Sequence, residues 1–151
     1  MSLPFRILLA FLPILSSCTR SGTKLEELNL TEVSFPNGAK ILAETMVREM
    51  DITRGMMFRD SLARDRGMIL VQSAEAARPA FTYNVRIPLD IVWMDKNLRV
   101  VEISANTPPC ASRSARECPL YGGKEKSRYV LEVNAGVAAA NGLKVGDRLS
   151  F

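Results

Sequence analysis

Laid out as a strand, the stretch IPLDIVWMD (Ile87 to Asp95) is apolar on both sides. Leu89, Ile91 and Trp93 share one face, while Val92 and Met94 share the other with Asp90. Such a strand offers water no side to wet, so it belongs in the middle of a sheet covered on both faces. That requirement constrains the rest of the chain. Its 151 residues are enough for one such core and too few for two ordinary ones.

Partner strands can be read on both sides of it. GAKILAETMVRE, Gly38 to Glu49, sets Ile41, Ala43, Thr45 and Val47 against Leu42, Glu44, Met46 and Arg48, which is period two. GMILVQ from Gly67 and PAFTYNV from Pro79 read as two further short strands. IPLDIVWMD and LRVVEISA pair as a hairpin around the turn Asp95-Lys96-Asn97-Leu98. RYVLEVNAG adds a sixth strand, and KVGDRLSF closes the chain as a turn and strand. Two helices are short. One follows Asp51 or Thr53 as a cap, carries Ile52, Met56 and Arg59 in register, and ends near Asp60. Gly55 inside it costs about 1 kcal/mol relative to Ala, which marks a close backbone approach. The other is capped by Asn134, runs through AGVAAAN, and stops at Gly142 as the C′ residue. The expected fold is α+β and β-dominated: a curled or barrel-like, mostly antiparallel sheet of about six or seven short strands, with two short helices plugging its ends.

The N-terminus is an address. Residues 1–17, MSLPFRILLAFLPILSS, hold one cation, Arg6, and an apolar run from Ile7 to Leu15 that is too short to span a bilayer. Leu15, Ser16, Ser17 and Cys18 resemble the bacterial lipobox, which implies acylation of the Cys18 thiol and cleavage before it. The expected location is the cell envelope, lipid-anchored and facing the periplasm, with the outer membrane favoured because Thr19 stands where an Asp would signal retention. If the lipobox is not used, the chain is periplasmic or secreted. Residues 18–32 are polar and read as the lipidated terminus and tether, leaving 33–151 as a single globular domain.

Composition narrows the chemistry. Hydrophobic content of 47% with 24% charged residues is that of a soluble domain, and a net charge of +4 with interspersed signs leaves no nucleic-acid footprint. The absence of histidine removes the commonest general base and zinc ligand. With Cys18 assigned to lipid, Cys110 and Cys118 remain as an even pair in an oxidising compartment, and a structural disulfide is expected. They lie in the Pro- and Gly-containing connection 104–128, whose length suggests a functional or stapled loop.

RGMMFRDSLARDRGMILV, FTYNVRIPLDIVWMD, RVVEI, RYVLEVNAG and GLKVGDRLSF, in this order and at these distances, resemble the domain-of-unknown-function 192 family over about Val33 to Phe151. The resemblance implies a compact β-rich fold with short helices and no assigned catalytic residues. Tyr83-Asn84-Val85-Arg86 keeps the family's Asn but lacks the hydroxyl residue that follows it there.

Asp90 and Glu132 are carboxylates placed among apolar neighbours, and a buried carboxylate must be paired or protonated. Arg54, Arg59, Arg78 and Arg86 offer partners. Asp90 is expected to pin strand register through backbone or Arg hydrogen bonds, Glu132 to sit at a solvent edge, and Asn84 to bridge a turn. The candidate polar site is therefore Asn84, Asp90, Arg54, Arg59, Glu132 and Asn134, with no cofactor implied. The expected function is a non-catalytic envelope module that binds a protein, glycan or small ligand through the 104–128 loop and the adjacent sheet. The alternatives are a carboxylate-dependent envelope hydrolase using Asp90 and Glu132, and a hard-cation site built from Asp90, Asn84 and Asp95.

Overall fold

The computed structural model describes residues 29–151. Cys18 and the lipobox lie outside the described residues. One mixed sheet contains β1 (Leu30–Ser34), β2 (Lys40–Met46), β3 (Arg66–Ala77), β4 (Leu89–Met94), β5 (Val100–Thr107) and β6 (Lys126–Asn134). The helices are α1 (Glu49–Arg54), between β2 and β3, and α2 (Val137–Ala140), after β6. The strand order is β1-β2-β3-β6-β4-β5, antiparallel throughout except for the parallel pair β2/β3. All six residues of β4 are buried, as its two apolar faces demand. The β-dominated α+β reading holds.

The sheet curls without closing. Its outermost strands, β1 and β5, are both bridged to the C-terminal segment: Ser34 exchanges hydrogen bonds with Ser150, and the Val100 N–H donates to the Asp147 carbonyl at 2.8 Å. One face of the sheet buries Val33, Ile69, Val92, Met94 and Leu131 beneath α2. The other buries Met56, Met68, Leu70, Ile91, Trp93 and Val130 near α1. Full burial of a large apolar side chain is worth about 1.5–3 kcal/mol, so both faces contribute comparably.

Several local expectations change. β1 starts at Leu30, so the tether cannot extend to residue 32. Pro79–Val85 is not a strand: Ala80 makes one bridge to Tyr121, and the Val85 N–H then closes a turn on Thr82, with Asn84 left-handed at φ 56°. KVGDRLSF contributes isolated bridges rather than a strand. α1 ends at Gly55, not near Asp60, because Gly55 adopts φ 44°, ψ −129°, which only glycine tolerates. Neither Asp51 nor Thr53 caps it; Arg48 holds that position, without a side-chain bond. Nor does Asn134 cap α2, which begins after Gly136. The Asp95 turn is as expected, its Oδ1 accepting the N–H groups of Asn97 and Arg99 at 2.8 and 2.9 Å. Gly142 ends α2 with φ 63°, as a C′ residue should.

Cys110 and Cys118 are bonded, with Cα atoms 5.6 Å apart. The connection between β5 and β6 is further ordered by a single 3₁₀ turn, Ala115–Glu117, and by the Ala80–Tyr121 bridge. Its Gly122 lies flat on the Trp93 ring, where a Cβ would come within 2.6 Å. The Trp93 indole N–H donates to the Arg78 carbonyl at 3.0 Å, so this loop and the 78–80 segment hold the ring from two sides.

Candidate functional site

Strand register separates the two carboxylates. Opposed residues of an antiparallel pair project to the same face. Asp90 opposes Val133, and Glu132 opposes Ile91, so Asp90 and Glu132 point to opposite sides of the sheet. A shared acid–base cleft is excluded, and the hydrolase reading falls with it.

Asp90 is fully buried on the α2 side, and both its oxygens are occupied. Oδ1 accepts the Asn106 N–H and Oδ2 the Ala138 N–H, each at 2.8 Å. The carboxylate thus ties β4 to the irregular end of β5, where Asn106 is left-handed at φ 51°, and to the first turn of α2. It is a structural pin, as the sequence suggested.

Glu132 is the reverse case, and the expectation of a solvent edge was wrong. β6 lies between β3 and β4, so Glu132 sits between Met68 and Ile91 in the second core. Its residue exposure is 8%, and its Oε2 is buried with no hydrogen-bond partner. Burial pushes its pKa up to about 7, with the Met56 N–H and the Arg59 guanidinium pulling the other way. Gly55 makes room for the group: a Cβ there would stand 3.1 Å from Oε2. Arg59 does not neutralise Glu132. It is engaged in a two-point ion pair with Glu44, at 2.5 and 2.7 Å.

Above Glu132 opens a cleft of about 620 Å³, within the size range of small-ligand sites. α1 forms one wall, and the far half of β3 with the 78–81 segment forms the other. Leu70, Trp93, Val130 and Glu132 lie at its base, and Arg54 and Arg78 stand exposed at its rim. A hollow of about 300 Å³ adjoins it, sharing Arg54, Gly55 and Met57 and reaching Arg59 and Met68.

The remaining candidates are not gathered here. Asn84 is the turn residue whose carbonyl accepts the Phe58 N–H at 2.8 Å, and it lines neither hollow. Asn134 donates to the carbonyls of Leu62 and Ala63 at 2.9 and 3.1 Å, clamping the loop before β3. Asp90, Asn84 and Asp95 serve separate backbone tasks, and among the described residues no group of three or more acidic or thiol side chains could hold a metal. The hard-cation reading is therefore withdrawn. The 104–128 connection does not line the cleft either; it backs the wall, with Gly122 against the Trp93 ring, Gly123 against Arg78 and Pro79, and Tyr121 bridged to Ala80. Sequence reasoning missed the α1–β3 walls, although Gly55, already marked as a close approach, pointed at them.

The profile of a family described as "Uncharacterized ACR", DUF192, matches residues 32–151. The chain belongs to the DUF192 family. Among solved structures, this DUF192 chain is similar to a protein of unknown function from Novosphingobium aromaticivorans DSM 12444, with a TM-score of 0.68 and 26% identity over 81% of this chain and 85% of that one. It is also similar to a protein from Sinorhizobium meliloti 1021 provisionally described as a transcription regulator, with a TM-score of 0.65 and 27% identity over 79% and 89% of the two chains. No curated protein matches this DUF192 chain.

Proposed function

We propose that this DUF192 protein is a non-catalytic binding module of the cell envelope, tethered through an acylated Cys18, with the cleft between α1 and β3 as its binding site. One observation carries the reading of the cleft. Glu132 places an unpartnered, fully buried carboxyl oxygen at its base, an arrangement that costs about 1–3 kcal/mol. Buried polar atoms of native folds are nearly always satisfied, by protein, by water or by a bound group. Trp93 and Val130 beside it supply apolar contact, and Arg54 and Arg78 add charge at the rim. The occupant is an envelope protein, a glycan or a small ligand. Tethering draws support from the apolar run Ile7–Leu15 followed by Leu15-Ser16-Ser17-Cys18.

The chain has one tryptophan, so Trp93 emission reports on the cleft without interference. A panel of short peptides, cell-wall glycan fragments and fatty acids should contain a compound that shifts that emission and raises the melting temperature. Thr53→Phe, which fills the cleft from the exposed side of α1, should abolish both effects. Binding that survives Thr53→Phe, or a panel that moves neither signal, would remove the cleft from the account. For the tether, Cys18→Ala should move the protein out of the membrane fraction; unchanged fractionation and gel mobility would exclude the anchor.

A further inference from the structure

Glu132 stands at the base of the cleft among groups that do not complete it. Its neighbours across the sheet, Met68 on β3 and Ile91 on β4, are apolar. The cation that bears on it is Arg59, and both terminal nitrogens of that guanidinium are bonded to Glu44 of β2. The Met56 N–H also favours the ionised carboxyl, yet Oε2 is left without a hydrogen-bond partner.

The backbone keeps room beside that carboxyl. Gly55 takes φ 44°, ψ −129°, a conformation that side chains rarely adopt, and it lines the cleft together with Glu132. A Cβ on Gly55 would stand 3.1 Å from Oε2 and 3.5 Å from Oε1, crowding both oxygens. Glycine leaves that space open. Little solvent reaches Oε2, so a group that pairs with it has to be small, and the flexible chains of Met56 and Met57 on the same wall can yield to it.

The other charges around the cleft are exposed or already paired. Glu49 and Arg54 of α1 and Arg78 on the opposite wall are exposed, and Asp51 in the adjoining hollow is bonded to Arg48 at 2.6 Å. Water and salt screen exposed charges, and Glu49 offsets one of the two arginines. A charge buried at the base is felt far more strongly. A ligand carboxylate or phosphate would set like charge against an ionised Glu132. An amide or hydroxyl would give Oε2 a hydrogen bond but no countercharge. An ammonium supplies both, and hydrogen bonds between ionised partners are about twice as strong as neutral ones.

Taking the cleft as the binding site, we infer that its occupant is a small primary amine, its ammonium donating a hydrogen bond to Glu132 Oε2 and its apolar body lying on Leu70, Trp93 and Val130. The cleft volume of about 620 Å³ suits a free amine. The ammonium pairs with the ionised carboxylate, so binding sends to solvent the proton that burial keeps on Glu132, whose pKa is about 7. Affinity for the amine therefore rises with pH until Glu132 is ionised in the free protein.

The test titrates the protein with hexylamine, hexanamide, hexanoate and acetyl-Ala-Lys-Ala-amide, following Trp93 emission and heat. At pH 8 hexylamine should bind at least about tenfold more tightly than each of the other three. Its affinity should fall about 90-fold between pH 8 and pH 5, since the amine stays charged throughout while Glu132 regains its proton. At pH 6 the heat should vary with the ionisation enthalpy of the buffer, reporting about one proton released per amine bound. Glu132→Gln should weaken hexylamine at least about tenfold at pH 8 and remove its pH dependence, while hexanamide still binds. The proton release is read on the wild type, so it stands however the variant folds. Tighter binding of hexanamide or hexanoate, or an amine affinity that is flat or rises toward pH 5, would overturn the amine and leave the cleft a binding site. Tighter binding of the lysine peptide would overturn a free amine as the occupant. If hexylamine fails while a glycan, peptide or fatty acid shifts Trp93, the amine alone falls. If hexylamine binding survives Thr53→Phe, or no probe of any class binds, the cleft reading falls as well.

Discussion

Glu132 should make the stability of this protein depend on pH in a window where the chain has few other titrating groups. The carboxyl is fully buried, and its pKa is raised from 4.5 to about 7. Below pH 4.5 both folded and unfolded chains hold this proton, and the group has no effect on the balance. Between 4.5 and 7 the unfolded chain has released a proton that the folded chain still holds, so stability falls as pH rises. Above 7 the penalty is complete, at about 3 kcal/mol for this shift at 1.36 kcal/mol per unit. Histidine, whose ordinary titration would confuse the measurement, is absent. Urea unfolding of the wild type and of Glu132→Gln at pH 5 and pH 8 isolates the effect, because contributions common to both proteins cancel. The wild type should lose about 2.5 kcal/mol more than the variant between these two pH values, which at a typical urea slope moves its midpoint by about 1–2.5 M relative to the variant. Parallel pH profiles would mean that Glu132 is solvated or paired when folded, and the argument from its orphaned oxygen would be refuted.

Three further outcomes follow from the packing. Asp90→Ala strips the acceptor from the buried Ala138 N–H and the partly buried Asn106 N–H, and should cost about 2–3 kcal/mol in chemical unfolding, with faster amide exchange at Ala138. Gly122→Ala drives a Cβ to 2.6 Å from the Trp93 ring at a φ of 50°, and should cost about 2 kcal/mol and red-shift the Trp93 emission. Replacing Cys110 and Cys118 together by Ser frees a nine-residue loop and should cost about 2.5 kcal/mol on loop entropy alone. Binding in the cleft should survive that change, since the loop does not line it; loss of binding would show that the loop shapes the walls.

The sequence reveals the sheet better than the cleft, for physical reasons. Period-two alternation in Lys40–Met46 and the two apolar faces of Leu89–Met94 are local signals, and both strands appear where expected. The Asp95 turn and Gly142 are local too, since each is specified by its own backbone. Glu132 is different: its burial depends on β6 inserting between β3 and β4, an ordering that no short window encodes. Pro79–Val85 misled because its apolar residues serve one bridge and a turn rather than a ladder. The cleft itself exists because β2 stops at Met46 while β3 runs on to Ala77, and a difference in length between two strands becomes visible only once their pairing is known.

The bridges from the C-terminal segment to the outermost strands also bear on when this fold can form. Ser34 meets Ser150, and Val100 meets Asp147, so contacts that secure both sides of the sheet join points far apart in the chain. Such non-local closure slows folding and leaves the sheet incomplete until the Asp147–Ser150 stretch is available. A nascent or truncated chain lacking that stretch would present β1 and β5 as bare templates, prone to self-association. The architecture therefore locks only once the Ser34 strand and the Asp147–Ser150 stretch are both free to meet.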